Sequence, residues 1–175
     1  MKKILLILAL ILTINTTMSQ NSIYDMSLQS IDDETINLSD YKGKYILFVN
    51  VASFCGYTKQ YGDLQKLHDK YEDLEVIGLP CNQFLFQEPF GEDSIKSFCS
   101  INYGITFPMT KKINVKGKDQ HELYKWLTDK ELNKKKDSKV KWNFQKYLIS
   151  KEGELIDFFT PTTNPLSEDI LKYLD

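Results

Sequence analysis

The chain has 175 residues, enough for one domain with a substantial core, and its sequence shows no internal repeat or linker. Hydrophobic residues make up 42% of it, charged residues make up 26%, and the formal net charge is −2. This balance is typical of a globular protein, and because there is no basic excess it argues against a nucleic-acid partner.

The first 19 residues differ from the rest of the chain. Lys2 and Lys3 precede an apolar stretch, 4–14, that is shorter than a typical membrane span, and Thr17-Met18-Ser19 has small residues where a signal peptidase reads. The pattern predicts a cleaved secretory signal over 1–19 and a mature chain from Gln20. The protein would then be exported, to the periplasm or the extracellular space. An uncleaved membrane anchor is the alternative.

A strand, a helix and a second strand are predicted in the first half of the chain. Ahead of them in the chain, residues 23–28 and 34–38 are predicted to pair as a β-hairpin. Residues 45–51 are almost wholly apolar, which indicates a strand buried on both faces. An amphipathic helix over 61–71 and a buried strand over 74–79 complete a βαβ unit, whose two strands should be parallel.

Cys55 follows the first of these buried strands, in a glycine-containing turn before the helix. Backbone N–H groups and the positive end of the helix dipole favour a thiolate at such a place. The alternative is a buried core cysteine. Pro80-Cys81-Asn82-Gln83-Phe84 follows the second strand, and sites of open α/β sheets form beyond the carboxyl ends of strands. Asn82 or Gln83 can therefore approach Cys55.

The second half of the chain alternates helices and strands. The pattern predicts helices over 92–102, 119–127 and 169–174, and an antiparallel pair of strands over 145–150 and 155–159. Ile95, Phe98 and Cys99 should form the core face of the first of these helices. Residues 134–141 carry five lysines and read as a solvated loop, with a docking patch for an acidic protein or lipid headgroups as the alternative.

The chain has three cysteines, Cys55, Cys81 and Cys99, so at least one stays unpaired within the chain. No Cys-x-x-Cys pair is present, and Thr58 stands where the second cysteine of a thioredoxin-type dithiol would be. The cysteine spacing and the two distant histidines do not fit a zinc site. No metal or cofactor is expected.

Three blocks together resemble the signatures of the glutathione peroxidase family. They are Asn50-Val51-Ala52-Ser53-x-Cys55-Gly56, Pro80-Cys81-Asn82-Gln83-Phe84 and Trp142-Asn143-Phe144. The resemblance covers nearly all of a domain over 20–175. It implies an α/β class, thioredoxin-like fold with a central mixed sheet flanked by helices and an N-terminal hairpin. It also implies a catalytic tetrad of Cys55, Gln83, Trp142 and Asn143.

These residue types suit the reduction of hydrogen peroxide and of organic or lipid hydroperoxides. A thiolate attacks the O–O bond and becomes a sulfenic acid, while the leaving alkoxide needs donors and a proton. Gln83 and Asn143 offer amide NH2 groups, and Trp142 offers an indole N–H that cannot accept a hydrogen bond. All three could stabilise negative charge while remaining neutral.

The resemblance further implies that Cys99 resolves the sulfenic acid as a disulfide, as in the thioredoxin-dependent members, and that Cys81 is structural. Cys99 as a plain core residue is the alternative. Thioredoxin or another dithiol protein is the expected reductant, ahead of glutathione. The short segment between Leu127 and Trp142 resembles that of the monomeric members. Two competing hypotheses are a peroxide sensor with low turnover and a disulfide-exchange module whose Cys55 does not react with peroxide.

Overall fold

The structure is a computed structural model that describes residues 22–175, and it contains six strands and five α-helices in that range. The strands are β1 (Ser27–Gln29), β2 (Thr35–Asn37), β3 (Tyr45–Val51), β4 (Leu74–Pro80), β5 (Lys146–Ile149) and β6 (Leu155–Phe159). The helices are α1 (Gln60–Lys70), α2 (Glu92–Tyr103), α3 (Glu122–Thr128), α4 (Lys130–Asn133) and α5 (Glu168–Leu171).

Four strands form a mixed sheet in the order β4-β3-β5-β6, and β1 and β2 form a separate antiparallel hairpin. The β3 and β4 strands are parallel, as a βαβ unit requires, whereas β5 is antiparallel to both β3 and β6. An extended segment borders β4, where Gly78 exchanges backbone hydrogen bonds with Pro108 and Thr110. A β-carbon at Gly78 would collide with Met109 in this close approach.

Alternate side chains of β3 serve two separate parts of the core, because successive residues of a strand face opposite sides of the sheet. Leu47, Val49 and Val51 belong to the hydrophobic cluster that α1, α2 and α5 cover. Ile46 and Phe48 belong to the cluster that α3 and the hairpin cover. The sheet is therefore flanked on both faces, and the mixed sheet, the helices and the hairpin confirm the predicted α/β, thioredoxin-like fold.

Local turns and caps account for the differences between predicted and observed boundaries in the hairpin and at α3. The first hairpin strand begins later than predicted, because residues 23–25 form a 3₁₀ turn closed by a capping box between Ser22 and Asp25. The second ends at Asn37, because a 3₁₀ turn over Leu38–Tyr41 follows it. Helix α3 begins at Glu122 and not at residue 119, since the His121 side chain accepts the backbone N–H of Leu123 and caps the helix there. The strands over 45–51 and 155–159 have the predicted bounds.

The predicted signal over 1–19 and the first residues of the predicted mature chain, Gln20 and Asn21, lie outside the described residues. Among residues 22–175, no helix has the length and apolar character needed to cross a membrane. The lysine-rich segment 134–141 forms neither helix nor strand, as predicted. Its Lys136 pairs with Asp157 and lies over the ring of Phe158, so this lysine is anchored to the domain.

Candidate active site

Cys55 lies in the turn that joins β3 to α1, and 8% of its surface is exposed. Thr58 holds this turn, because its Oγ1 accepts the Cys55 N–H at 3.0 Å and donates to the Ala52 carbonyl at 2.9 Å. The Tyr57 N–H points at Cys55 Sγ, 3.5 Å away. Backbone donors stabilise negative charge that develops on the atom they point at, so the turn is suited to hold a nucleophile.

A loop that follows β4 folds back over this turn. The Phe54 N–H donates to the Gln87 carbonyl at 3.0 Å, and Asn82 Oδ1 accepts the Glu88 N–H at 2.9 Å. Glu88 is fully buried, and its Oε2 accepts both the backbone N–H and the hydroxyl of Ser53, at 2.9 and 3.0 Å. Gln87 and Glu88 are thus fixed against Phe54 and Ser53, the two residues that precede Cys55.

Glu88 is the anchor of this loop, and we expect Glu88→Ala to lower the free energy of unfolding by about 2–3 kcal/mol, because two buried Ser53 donors would lose their acceptor. Glu88→Gln is the control, since its amide oxygen can still accept from Ser53. Urea unfolding of the three proteins measures the effect. Equal stabilities of the Ala and Gln variants would show that these hydrogen bonds do not hold the loop.

The same carboxyl should make stability depend on pH. Burial raises the pKa of Glu88 above its ordinary value, and the other oxygen, Oε1, has no partner within residues 22–175. Above the ordinary pKa the folded protein binds more protons than the unfolded chain, so Glu88's contribution to stability falls as pH rises through the folded pKa. Unfolding of Glu88→Gln, measured from acid to neutral pH, should lack that part of the dependence.

Trp142 and Asn143 reach the site from the segment that enters β5. Asn50, on β3, donates from Nδ2 to the Trp142 carbonyl at 3.1 Å and to Asn143 Oδ1 at 3.4 Å. Phe144 has a positive φ of 66°, which bends the chain just before the strand. The half-buried Trp142 indole packs against the cluster that contains Cys55, and its ring centroid lies 5.5 Å from that of Phe84.

The two glutamines of the loop have different partners. Gln83 Oε1 accepts the N–H groups of Val115 and Lys116, at 2.7 and 3.1 Å, and its Nε2 donates to the Lys116 carbonyl at 2.9 Å. Gln87 Oε1 instead accepts from Asn143 Nδ2 at 3.1 Å. The structure therefore brings Asn143 together with Gln87, whereas the carboxamide of Gln83 is committed to the 115–116 backbone.

Gln87 was not among the predicted site residues, because the strand-end rule selects only residues directly after β4, and the loop places a later residue beside Asn143. Its contact with Asn143 leaves the Gln87 NH2 group to donate elsewhere. The polar pair Gln87-Glu88, following two large apolar residues, is the sequence signal that could have identified it. Among residues 22–175 there is no cluster of metal-binding side chains.

The other two cysteines lie on opposite faces of the sheet, and all three are free thiols. Cys99, on α2, shares the buried cluster of Cys55, and its polar neighbour is the buried Tyr61 hydroxyl. Burial raises the pKa of the Cys99 thiol to about 11. Cys81 is buried in the cluster on the α3 side, where burial likewise raises its pKa. Only Cys99 shares a cluster with Cys55.

Known proteins resemble this chain along nearly its whole length. The glutathione peroxidase family model matches residues 23–128. The glutathione peroxidase homolog BsaA of Bacillus subtilis is 43% identical over 158 residues, covering 88% of this chain and 99% of the relative. The hydroperoxy fatty acid reductase gpx1 of Synechocystis is 39% identical over 170 residues, covering 91% and 99%.

A solved structure shows the same fold. The crystal structure described as Trgpx in apo form superposes with a TM-score of 0.68 at 37% identity, covering 89% of this chain and 97% of that one. The match of the family model to more than half of the chain and the identity to full-length relatives agree with the three sequence blocks. The chain belongs to the glutathione peroxidase family.

Proposed function

We propose that this protein is a thiol-dependent peroxidase that reduces hydrogen peroxide and organic or lipid hydroperoxides. One observation carries the proposal: Cys55, with the Tyr57 N–H on its sulfur, lies under a loop that joins Gln87 to Asn143. The family match and two relatives, one named a glutathione peroxidase homolog and the other a hydroperoxy fatty acid reductase, support the same chemistry.

In the proposed first step, the Cys55 thiolate attacks one peroxide oxygen and the O–O bond breaks. The sulfur is oxidised to a sulfenic acid, and the other oxygen leaves as hydroxide or alkoxide and takes a proton to give water or an alcohol. Trp142 and Asn143 would donate hydrogen bonds to the leaving oxygen. Neutral donors suit this role, because they stabilise the developing charge without pairing permanently with the thiolate.

We assign the third donor to Gln87 in place of Gln83. Gln87→Ala should lower kcat/KM for hydrogen peroxide by about a hundredfold, the usual cost of losing one transition-state donor. Gln83→Ala is the matched control, because it removes the same group from the same loop and should leave kcat/KM little changed. Steady-state assays of both variants with one reductant make the comparison. A large loss in Gln83→Ala with none in Gln87→Ala would contradict this proposal and support the sequence-based assignment of Gln83.

In the proposed second step, the Cys99 thiolate attacks the Cys55 sulfenic sulfur and a disulfide forms, while hydroxide leaves and takes a proton to give water. A dithiol protein of the thioredoxin type then reduces the disulfide and is itself oxidised. The free thiols, and the presence of Cys99 and Cys55 in one cluster, support this pairing. Glutathione is the competing reductant, and peroxide consumption assayed with thioredoxin against glutathione would decide between them.

A peroxide sensor that passes its disulfide to a partner protein would use the same two cysteines. It would react once with peroxide and then stall without its partner, whereas a peroxidase turns over continuously with a general reductase system.

We also propose that the chain is exported and that the folded domain acts as a monomer. The pattern of residues 1–19 supports export, and the short segment between Leu127 and Trp142 supports the monomer.

A further inference from the structure

The loop above Cys55 presents two large apolar side chains to solvent, and we call Leu85 and Phe86 the apolar tip. They are 75% and 80% exposed. Both have positive φ, 51° and 54°, a left-handed conformation that bulky residues rarely adopt and that glycine or asparagine would occupy more easily. Strained, exposed and apolar residues together at a reactive site indicate a surface kept for binding.

A third exposed aromatic residue lies beside the tip. Phe54, next to Cys55, is 57% exposed, its ring lies 5.1 Å from that of Phe90, and its N–H is bonded to the Gln87 carbonyl. Five large hydrophobic residues are exposed among residues 22–175, and three of them, Phe54, Leu85 and Phe86, are at this site. The exposed apolar side chains are therefore concentrated around Cys55.

Lysines flank this apolar surface. Lys116 is exposed, and its Nζ lies 4.0 Å above the ring of Phe84, the residue just before the tip. Lys141 is exposed directly before Trp142. The carboxylate nearest the tip in sequence, Glu88, is buried and turned inward to Ser53. Apolar side chains beside exposed cations match the interface of a bilayer that contains anionic lipids.

We propose that the apolar tip inserts into the interface of a lipid bilayer and so presents Cys55 to hydroperoxides held in the membrane. Two protruding side chains are too small for a stable protein interface, which buries about 800 Å² on each partner. They are sufficient for shallow insertion, to which flanking lysines add attraction for anionic headgroups. The membrane contact stands apart from the chemistry, whereas the advantage for membrane hydroperoxides rests on the proposed peroxidase function.

Tryptophan quenching tests where the tip lies, using the full chain. Phe86→Trp is mixed with vesicles of phosphatidylcholine and phosphatidylglycerol that carry bromine on their acyl chains. Ile101→Trp is the control, because Ile101 is 82% exposed on α2, away from the tip in sequence. We expect stronger quenching in Phe86→Trp than in Ile101→Trp. Equal quenching, or none in either, would overturn the proposal even if another segment binds the vesicles.

A second experiment measures the consequence for activity. The double variant Leu85→Asn/Phe86→Asn removes the apolar groups but keeps the loop shape, because asparagine tolerates positive φ. We expect kcat/KM for phospholipid hydroperoxide in vesicles, divided by kcat/KM for hydrogen peroxide, to fall about tenfold or more, given what burial of each side chain contributes. Ile101→Gln should leave this ratio unchanged.

The outcomes distinguish the two proposals. An unchanged ratio in the double variant would contradict a role of the tip in lipid access. A wild-type protein that is inactive toward hydrogen peroxide would contradict the proposed function, while the quenching result would still decide the membrane contact. Slower reduction by a thiol protein in the double variant, without quenching of Phe86→Trp, would show that the tip docks a protein and would overturn the lipid assignment.

Discussion

Cys55→Ser should lower kcat/KM for hydrogen peroxide by at least about a thousandfold, the largest effect expected of any single substitution in this chain. The turn offers the sulfur a backbone donor from Tyr57, and Thr58 Oγ1 holds the turn by accepting the Cys55 N–H and donating to the Ala52 carbonyl. Sulfur is a far better nucleophile toward a peroxide oxygen than a serine hydroxyl is. Stopped-flow measurement of peroxide loss gives the rate constant.

Cys81→Ser is the control for Cys55→Ser, because both remove one thiol from the same domain. Cys81 is buried in the cluster on the α3 side, so its replacement should cost stability but leave peroxide reduction nearly intact. Circular dichroism would verify that all variants are folded. Activity that survives in Cys55→Ser but is lost in folded Cys81→Ser would mean that the nucleophile has been misassigned.

Cys99→Ser is expected to reduce one equivalent of peroxide at the wild-type rate and then stop when thioredoxin is the reductant. The variant can form the Cys55 sulfenic acid but has no thiol to convert it into a disulfide. A sulfenic-acid trap should label Cys55 in this variant after stoichiometric peroxide, and mass spectrometry would locate the label. Wild-type protein should give a Cys55–Cys99 disulfide under the same conditions.

The burial of Cys99 sets a condition for its attack on the Cys55 sulfenic acid. Cys99 is buried, and its raised pKa of about 11 keeps it a thiol at neutral pH while α2 is closed. A thiol is a poor nucleophile, so resolution should require local opening of α2 that exposes and ionises Cys99. Faster hydrogen exchange in α2 after oxidation of Cys55 would support this order. Full thioredoxin-dependent turnover by Cys99→Ser would refute the resolving role altogether.

Local patterns were sufficient for most of the fold. The apolar run of β3 predicted a strand buried on both faces, and it lies between β4 and β5. The turn after it placed Cys55 at the edge where sites of α/β sheets form. The predicted core face of α2 includes Ile95 and Cys99, both buried, because a 3.6-residue period identifies one face of a helix without knowledge of its partner.

The choice between two glutamines could not be made from the sequence. Gln83 and Gln87 are four residues apart in one loop, and both are amides after a buried strand. Two successive left-handed residues, Leu85 and Phe86, turn the chain between them, and the chain's own preferences do not favour that conformation. The turn leaves Gln83 on the 115–116 backbone and carries Gln87 to Asn143.

The sequence by itself determined the strand and helix pattern and the position of Cys55 in its turn, because each depends on residues close together in the chain. It also determined the membership of the family, because each of the three signature blocks is a short motif that can be read without knowing how the blocks meet. Only the tertiary structure decided which amide joins Asn143, which of Cys81 and Cys99 shares a cluster with Cys55, and which apolar side chains face solvent. These depend on contacts between segments tens of residues apart, such as Gln87 with Asn143, and nothing in local periodicity specifies how such segments meet.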